Sequence, residues 1–394
     1  MVLLKRLLTY GAVVVVGLMA GACVGLPTES SWGDVSLIGS PAKILFSFSD
    51  RIVQIDPADG KPVKLLDSDG KVRVDDSGNP RTWVLLSPTG STVHYYTRPV
   101  QTDDQTLIAG VYEDKLYQVD AAAARIDKTD GIALPGHVIG NPLLTDNLLY
   151  VPISEGGLVA LNRSDFSQAW RFIGDNAKGI WSQPLLVDGT LYVSAMNHFL
   201  FALDAATGTE KWKVDLGGAL ASTPVYANGA LYIGSFGHEV YKVALNGTIA
   251  AQYSTSDWVW GAPTVVDNMV YATDLGGNVY ALKDSGSSLD LVWTRKVATA
   301  AIRMSPFVDG DTMVVGSRDH NVYWISRTTG DAINDSGGKP ITRAMNGEVL
   351  SNILLIPSTD ANADPTIIVS TIDKSELLVA FSLSTGERRW VYSS

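Results

Sequence analysis

Short stretches of aliphatic and aromatic residues recur along this chain, each ending in a turn that carries Asp, Asn or Gly. The pattern is clearest in eight segments that begin at Ile52, Leu116, Leu158, Leu200, Val240, Val279, Val322 and Leu378. The six segments from Leu116 to Val322 are spaced by 42, 42, 40, 39 and 43 residues. A repeat of about forty residues built from short strands is typical of a β-propeller. The pattern therefore predicts an all-β fold, an eight-bladed β-propeller of four-stranded antiparallel blades.

Residues 179–214 show the predicted content of one blade, the fourth. An innermost strand is predicted over 180–187 (IWSQPLLV) and includes Pro184, while the fourth strand carries Trp212. The turn at Gly189 fits a tight hairpin, because Gly accepts the positive φ that such turns need. Apolar residues on both faces of each strand fit a sheet buried between two neighbouring blades.

Two features recur at the blade period. The inner-strand proline is found at Pro99, Pro142, Pro184, Pro224, Pro263 and Pro306. The outer-strand aromatic is found at Trp170, Trp212, Tyr253, Trp293 and Trp390. An innermost strand borders the channel and is an edge, where proline is tolerated. The outer aromatic is expected to cover the turn of the next blade.

Two blades are predicted to be irregular, blade one with an insertion over 65–83 and blade eight with one over 356–367. These two blades flank the closure of the ring. Residues 32–48 are expected to supply the first strands of blade one. The sequence leaves open which terminus completes which blade.

The N-terminus reads as a targeting segment: Lys5 and Arg6 precede an apolar run over 7–19, followed by small residues and Cys23. The run is too short to span a bilayer and is typical of a signal peptide. Ala-Gly-Ala before Cys23 resembles a bacterial lipobox, in which the cysteine is acylated, although Leu is usual at the first of these positions. We therefore predict a signal peptide over 1–22, a lipid-anchored tether over 23–31 and the propeller over 32–394. The alternative is an ordinary cleaved signal with an incidental cysteine.

The chain is acidic, with a formal charge of −11 that becomes −13 without residues 1–22, because Lys5 and Arg6 are lost with no acid. An acidic surface disfavours nucleic acid as a partner. Cys23 is the only cysteine, so an internal disulfide is impossible.

Three segments carry a family resemblance: ALDAATGTEKW (202–212), IWSQPLLVDGTLYVS (180–194) and WVWGAPTVVDNMVYATDLGGNVYAL (258–282). They resemble the pyrroloquinoline quinone (PQQ) repeat, with its ALDxxTGxxxW signature, and the resemblance extends over about residues 40–392. Quinoprotein dehydrogenases, BamB-type outer-membrane assembly lipoproteins and other lipoproteins share this repeat. The resemblance is specific for the propeller fold, but it says little about the function.

The enzymes of this group bind the quinone with calcium, and an adjacent pair of cysteines packs on the quinone as a disulfide. This chain lacks a second cysteine and is shorter than those enzymes. No cofactor is therefore expected, and PQQ-dependent dehydrogenation is kept as an alternative. Three histidines, His198, His238 and His320, share one blade position with glycines, which indicates a positive-φ turn and not a metal site.

One set of residues departs from the uniformity of the repeat. Three positions before the inner proline, the blades carry Tyr96, Ile139, Trp181, Ala221, Trp260 and Arg303, with Leu350 as the counterpart in blade eight. Symmetry places the set around one mouth of the channel. Tyr96, Ile139, Trp181, Trp260 and Arg303 are our candidate ligand or partner funnel, suited to a peptide segment, sugar or small ligand. Packing between blades is the alternative explanation.

These observations predict a monomeric, non-enzymatic binding or assembly scaffold. It is expected outside the cytoplasm, anchored by lipid at Cys23 to the outer face of the cell membrane or the periplasmic side of an outer membrane. Protein partners or peptide segments are its expected ligands, and a role like that of BamB is the leading version. The alternatives are a quinoprotein and a solute-binding or sensor propeller.

Overall fold

The computed structural model describes residues 34–88, 91–103, 105–126, 130–174, 179–358 and 363–394. These residues form eight antiparallel sheets, each built from consecutive strands, and contain no helix. It follows that no helix in the described ranges could cross a membrane. The predicted eight-bladed, all-β propeller is confirmed. The predicted signal peptide (1–22), the tether with Cys23 (23–31) and the first two residues of the predicted propeller lie outside the described residues.

The first four blades take up the chain from Asp34 to Asp215. Blade one contains β1 (Asp34–Ile38), β2 (Lys43–Phe48), β3 (Arg51–Ile55) and β4 (Val84–Leu86). Blade two contains β5 (Val100–Gln101), β6 (Thr106–Val111), β7 (Lys115–Asp120), β8 (Arg125–Ile126) and β9 (Ile132–Ala133). Blade three contains β10 (Leu143–Leu144), β11 (Leu148–Ile153), β12 (Gly157–Asn162) and β13 (Gln168–Phe172). Blade four contains β14 (Leu185–Val187), β15 (Thr190–Ser194), β16 (Phe199–Asp204) and β17 (Glu210–Asp215).

The other four blades take up the chain from Val225 to Tyr392. Blade five contains β18 (Val225–Ala227), β19 (Ala230–Ser235), β20 (Glu239–Ala244) and β21 (Ile249–Ser254). Blade six contains β22 (Thr264–Val266), β23 (Met269–Thr273), β24 (Asn278–Asp284) and β25 (Leu289–Lys296). Blade seven contains β26 (Phe307–Asp309), β27 (Thr312–Gly316), β28 (Asn321–Ser326) and β29 (Thr342–Ala344). Blade eight contains β30 (Leu354–Ile356), β31 (Thr366–Ser370), β32 (Leu378–Ser382) and β33 (Arg388–Tyr392).

The ring closes by packing and not by exchange of a strand, which settles the question that the sequence left open. Blade one is built from the N-terminal strands alone and blade eight from the C-terminal strands alone. Their facing sides share one buried cluster, in which Ile44 and Phe46 of blade one meet Ile368 and Leu378 of blade eight. Residues 32–48 were expected to supply the first strands of blade one, and β1 and β2 confirm this within the described residues.

Six tryptophans contact the next blade, and Trp170, Trp212, Trp293 and Trp390 of the outer strands do so as predicted. The indole Nε1 of Trp212 donates to the carbonyl of Leu245 at 2.8 Å, and Trp390 bonds in the same way to Pro57 at 2.9 Å across the closure. In the described part of the chain the same bond is made by Trp83, Trp170, Trp212, Trp293, Trp324 and Trp390. The accepting carbonyl always belongs to the turn that follows the third strand of the next blade. Each indole therefore contributes both apolar contact area and one hydrogen bond to the interface between two blades.

The inner strands are shorter than predicted. In blade four only Leu185–Val187 pairs with the next strand, whereas the prediction ran over 180–187. Pro184 lies immediately before the paired residues, and the other five inner prolines occupy the same place. Proline has no backbone N–H to donate, so it precedes the ladder and is not part of it. The segment before each proline is left free to line the channel.

Blade seven is also irregular, a feature that the sequence prediction missed. There, Trp324, Ile333 and Ile341 each donate a backbone hydrogen bond to one of the other two, which closes a three-way ring of bonds. Gln54, Val63 and Trp83 make the same ring in blade one, at the base of the predicted insertion. The predicted insertion of blade eight lies between β30 and β31. The insertions of blades one and seven lie between the third strand and the outermost strand, so they leave the channel unchanged.

Candidate functional site

Residues before each inner proline alternate between two faces. At the fourth position before it, the side chains are fully buried between blades: Tyr95, Val138, Ile180, Leu220, Val259 and Ile302. At the third position they are half-buried and face the channel: Tyr96, Ile139, Trp181, Ala221, Trp260 and Arg303. Because side chains on an extended chain alternate in direction, one segment serves packing and channel at once.

The channel-facing residues converge on one cavity. Tyr96, Ile139, Trp181, Ala221, Trp260, Arg303 and Leu350, hereafter the mouth ring, all line a space of about 220 Å³ at one end of the channel. We call this cavity the funnel. All five residues of the predicted candidate site are among them. In sequence register the blade-one counterpart is Trp32, which lies outside the described residues.

The second position before the inner proline holds a small residue in most blades. Gly140 and Gly261 at this position are buried against the neighbouring blade. A Cβ on Gly261 would come within 2.5 Å of the Met304 carbonyl oxygen of blade seven. Close approach of two blade backbones therefore requires small residues here.

Aromatic side chains extend the funnel wall in two rows. Beside blades five to seven, Trp260 lies between Phe236 and Arg303, with ring centroids 5.2 Å apart and the Arg303 guanidinium 4.4 Å from the indole. Phe236 in turn stacks on Trp258 at 4.9 Å. Such cation–π and stacking contacts hold the rings in fixed orientations.

The second row lies beside blades two and three. Tyr96 contacts Tyr112 at 5.5 Å between centroids, and Tyr112 stacks on His137 at 4.0 Å. Burial raises the pKa of the Tyr96 hydroxyl, and the nearby Tyr112 and Glu113 raise it further. The hydroxyl stays protonated at neutral pH, so Tyr96 presents a neutral ring to the funnel.

A belt of polar residues forms the floor of the funnel. It occupies the position directly before the inner proline, or the equivalent position in blades one and eight, and contains Asp34, Arg98, Asn141, Gln183, Thr223, Ala262, Ser305 and Asn352. Asn141 Nδ2 donates to Asp34 Oδ2 at 2.7 Å, and Arg98 Nη2 donates to Gln183 Oε1 at 3.1 Å. Each bond connects blades that are not adjacent in the ring, so the belt narrows the channel.

The belt was not predicted from the sequence, although its signal was present there. Seven of its members stand at the blade period, two residues after the mouth ring, and all but Ala262 are polar. The eighth, Asp34, becomes recognisable only from the pairing of β1 with β2, because blade one has no inner proline.

The funnel does not fit a calcium-bound quinone. Asp34 is the only carboxylate among the described residues that line it, and its Oδ2 already accepts the Asn141 bond. Calcium takes six to eight oxygen ligands, usually with several carboxylates. The funnel volume is also below the roughly 300–1,000 Å³ of small-molecule sites.

The shared histidine position is a turn, as predicted. His198, His238 and His320 have φ values of 78°, 63° and 64°, and the matching Gly157 and Gly277 have 82° and 81°. No cluster of three or more metal-ligating side chains occurs within the described ranges.

The sequence matches a family model described as outer membrane protein assembly factor BamB, over residues 175–250 and 197–394. Together these matches span more than half of the chain, from blade four to the C-terminus. The chain belongs to this BamB family. No protein in the curated set matches the chain.

Solved structures agree with the fold of this BamB-family chain. The computationally designed Ika8 protein has a TM-score of 0.62 and 14% identity, and the match covers 90% of this chain and 98% of that protein. BamB from Moraxella catarrhalis has a TM-score of 0.57 and 14% identity, with coverage of 88% and 97%. At this identity the two likenesses concern the fold alone.

Proposed function

We propose that this chain is a lipid-anchored, extracytoplasmic scaffold that binds a protein partner through the funnel during outer-membrane protein assembly. The match of blades four to eight to the BamB family supports the assembly role. One observation carries the proposal: the side chains of the mouth ring converge on one cavity. They occupy a position in the repeat that packing between blades does not require.

The chemistry of the funnel suits an extended peptide segment. Trp181, Trp260 and Tyr96 offer apolar surface and Arg303 offers a cation, while the belt below offers hydrogen-bonding groups. Peptide recognition commonly combines such apolar contacts with a few fixed polar groups. The funnel is small, so it suits the insertion of one or two side chains from a segment lying across the mouth.

The first described strand begins at the funnel. Asp34, where β1 begins, lines the funnel, so the chain enters the propeller at this end. The eleven residues from Cys23 to Asp34 span at most about 40 Å. An acylated Cys23 would therefore keep the mouth ring close to the membrane, within reach of a membrane-bound partner.

We also propose that the scaffold is not an enzyme. Incubation of the purified protein with PQQ and calcium is expected to give neither a bound chromophore nor alcohol-dependent dye reduction. Appearance of both would replace the scaffold with a quinoprotein.

Crosslinking at the native membrane tests the proposal directly. A photoreactive amino acid at Ala221 of the mouth ring should capture components of the outer-membrane assembly machinery. The same residue at Asn246, an exposed position in a turn at the opposite end of the propeller, is the matched control. Capture from both positions, or of no assembly component from Ala221, would contradict the proposal.

A further inference from the structure

Two pairs of stacked rings lie outside the funnel, at equivalent places in blades two and five. In each pair the first ring directly follows the second strand of its blade, and the second ring stands five residues before the next inner proline. The pairs are Tyr112 with His137 and Phe236 with Trp258, and their ring planes differ by 16° and 11°. In the other six blades the first of these positions holds Ser, Ala, Asp or Thr. The repeat therefore does not require rings there.

Each pair contacts an aromatic residue of the mouth ring. Tyr112 contacts Tyr96, and Phe236 contacts Trp260. Tyr96 precedes the inner strand of blade two, and Trp260 precedes that of blade six. Because four blades are half of an eight-bladed ring, these two residues lie on opposite sides of the mouth. The two pairs and the funnel between them form one surface, hereafter the aromatic band.

The rings of the aromatic band are accessible to a partner. Tyr112 is 37% exposed, and His137, Phe236 and Trp258 are half-buried. Rings that pack only between blades would be fully buried, as Tyr95 is. The band therefore offers flat apolar surface beyond the funnel, on both sides of it.

The two ends of the aromatic band differ in charge. At the blade-six end, the Arg303 guanidinium lies 4.4 Å from the indole of the mouth ring. At the other end, Glu113 and Asp114 follow the first ring in the same turn. Glu155, with Arg171 beside it, lies in the blade-three turn that bonds to the backbone of this pair. A segment lying along the band meets a cation at one end and mainly carboxylates at the other, which favours one direction of binding.

We infer that the aromatic band binds an extended segment of the partner, with a proline or aromatic side chain on each ring pair and an acidic residue at Arg303. The inference rests on the proposed function, because the same segment enters the funnel between the two pairs. Extended proline-rich segments bind to aromatic-lined surfaces, since their preformed conformation loses little entropy. A guanidinium is well suited to a carboxylate.

Photocrosslinking at the native membrane tests the path of the segment. A photoreactive phenylalanine derivative at Tyr112, and in a second protein at Phe236, should capture the partner that is captured from Ala221. Mass spectrometry should place both crosslinks in one continuous stretch of that partner, next to proline or aromatic residues. The same replacement at Tyr226, an exposed tyrosine beside the turn from β18 to β19, is the matched control and should not capture it.

The outcomes separate this inference from the proposed function. Capture from Ala221 alone, or crosslinks from the two ring pairs to distant segments, would overturn the inference while the proposed function stands. Failure of all three positions to capture an assembly component would contradict both.

Three variants measure the contribution of the band. Tyr112→Ala and Phe236→Ala should each lower the yield of the Ala221 crosslink about fivefold, while Tyr226→Ala should not. Arg303→Gln should lower it about tenfold, while Arg125→Gln, at an exposed arginine of blade two, should not. The Tm of each variant confirms folding. Unchanged yields in Tyr112→Ala and Phe236→Ala would overturn the inference, and an unchanged yield in Arg303→Gln would remove the acidic residue from it.

Discussion

The two faces of the segment before each inner strand differ in how freely their residues vary. The face between blades holds fully buried apolar side chains at one register and small residues at the next. The channel face varies from Ala221 to Trp260 to Arg303 within the same repeat. The packed face meets a neighbouring blade and has to fit it, whereas the channel face meets solvent or a ligand. Variation at a fixed repeat position therefore marks the surface available for function.

Gly261 and Ala262 give the sharpest test of this difference, because they are adjacent and belong to opposite faces. Gly261→Val should destabilise the protein by about 3 kcal/mol, since the new side chain would meet the Met304 backbone. Ala262→Val, facing the channel, should change the free energy of unfolding by less than about 0.5 kcal/mol. Urea denaturation measures both, and equal losses would show that the two faces are not separate.

A buried polar contact between blades five and six should give the next largest effect. Lys242 Nζ lies 2.8 Å from Asp284 Oδ2, and the hydroxyl of Tyr232 donates to the same carboxylate. Burial, the largest influence, raises the pKa of Asp284, but the bonds from Lys242, Tyr232 and Gly286 together hold it below its ordinary value. Asp284→Asn should cost about 2 kcal/mol at pH 7, because Lys242 loses its counter-ion.

The pH dependence of that variant follows from the direction of the pKa shift. A carboxyl with a lowered folded pKa stabilises the fold above its ordinary pKa of 3.8 and loses that contribution as the pH falls towards the folded value. The difference in unfolding free energy between wild type and Asp284→Asn should therefore shrink between pH 7 and pH 3. A difference that stays constant over this range would mean that the ion pair does not contribute.

The closure of the ring should behave like any other interface between blades. Trp390→Phe removes the bond to Pro57, and Trp212→Phe removes its equivalent between blades four and five. Each should cost about 1 kcal/mol in thermal or urea denaturation. A several-fold larger loss for Trp390→Phe would identify the closure as the weakest interface.

The sequence predicted the parts of the structure that repeat. The eight blades, the outer tryptophans and the positions of the mouth ring all follow from one spacing, since residues at the same place in a blade occupy the same place in the ring. The insertion of blade seven, at 327–341, was missed because it lies in a hairpin that also carries the regular Thr-Thr-Gly turn.

The bonds across the channel could not be found from the repeat. They join Asn141 to Asp34 and Arg98 to Gln183, which only the closed ring brings together. Arg98 is likewise one deviation at a position whose other members are neutral or, at Asp34, acidic. A single deviation has no spacing to reveal it, so its meaning depends on the cavity that it borders.

The smallest effect on stability is expected where the effect on binding is largest. Trp181→Ala combined with Trp260→Ala should leave the Tm nearly unchanged, because both side chains are half-buried on the channel face. The double variant should lose the crosslinks formed from Ala221. Trp170→Ala is the matched control: it removes an inter-blade bond and should cost about 2 kcal/mol while the crosslinks remain. A large loss of Tm in the double variant would instead assign the mouth ring to packing, and the proposed funnel would lose its support.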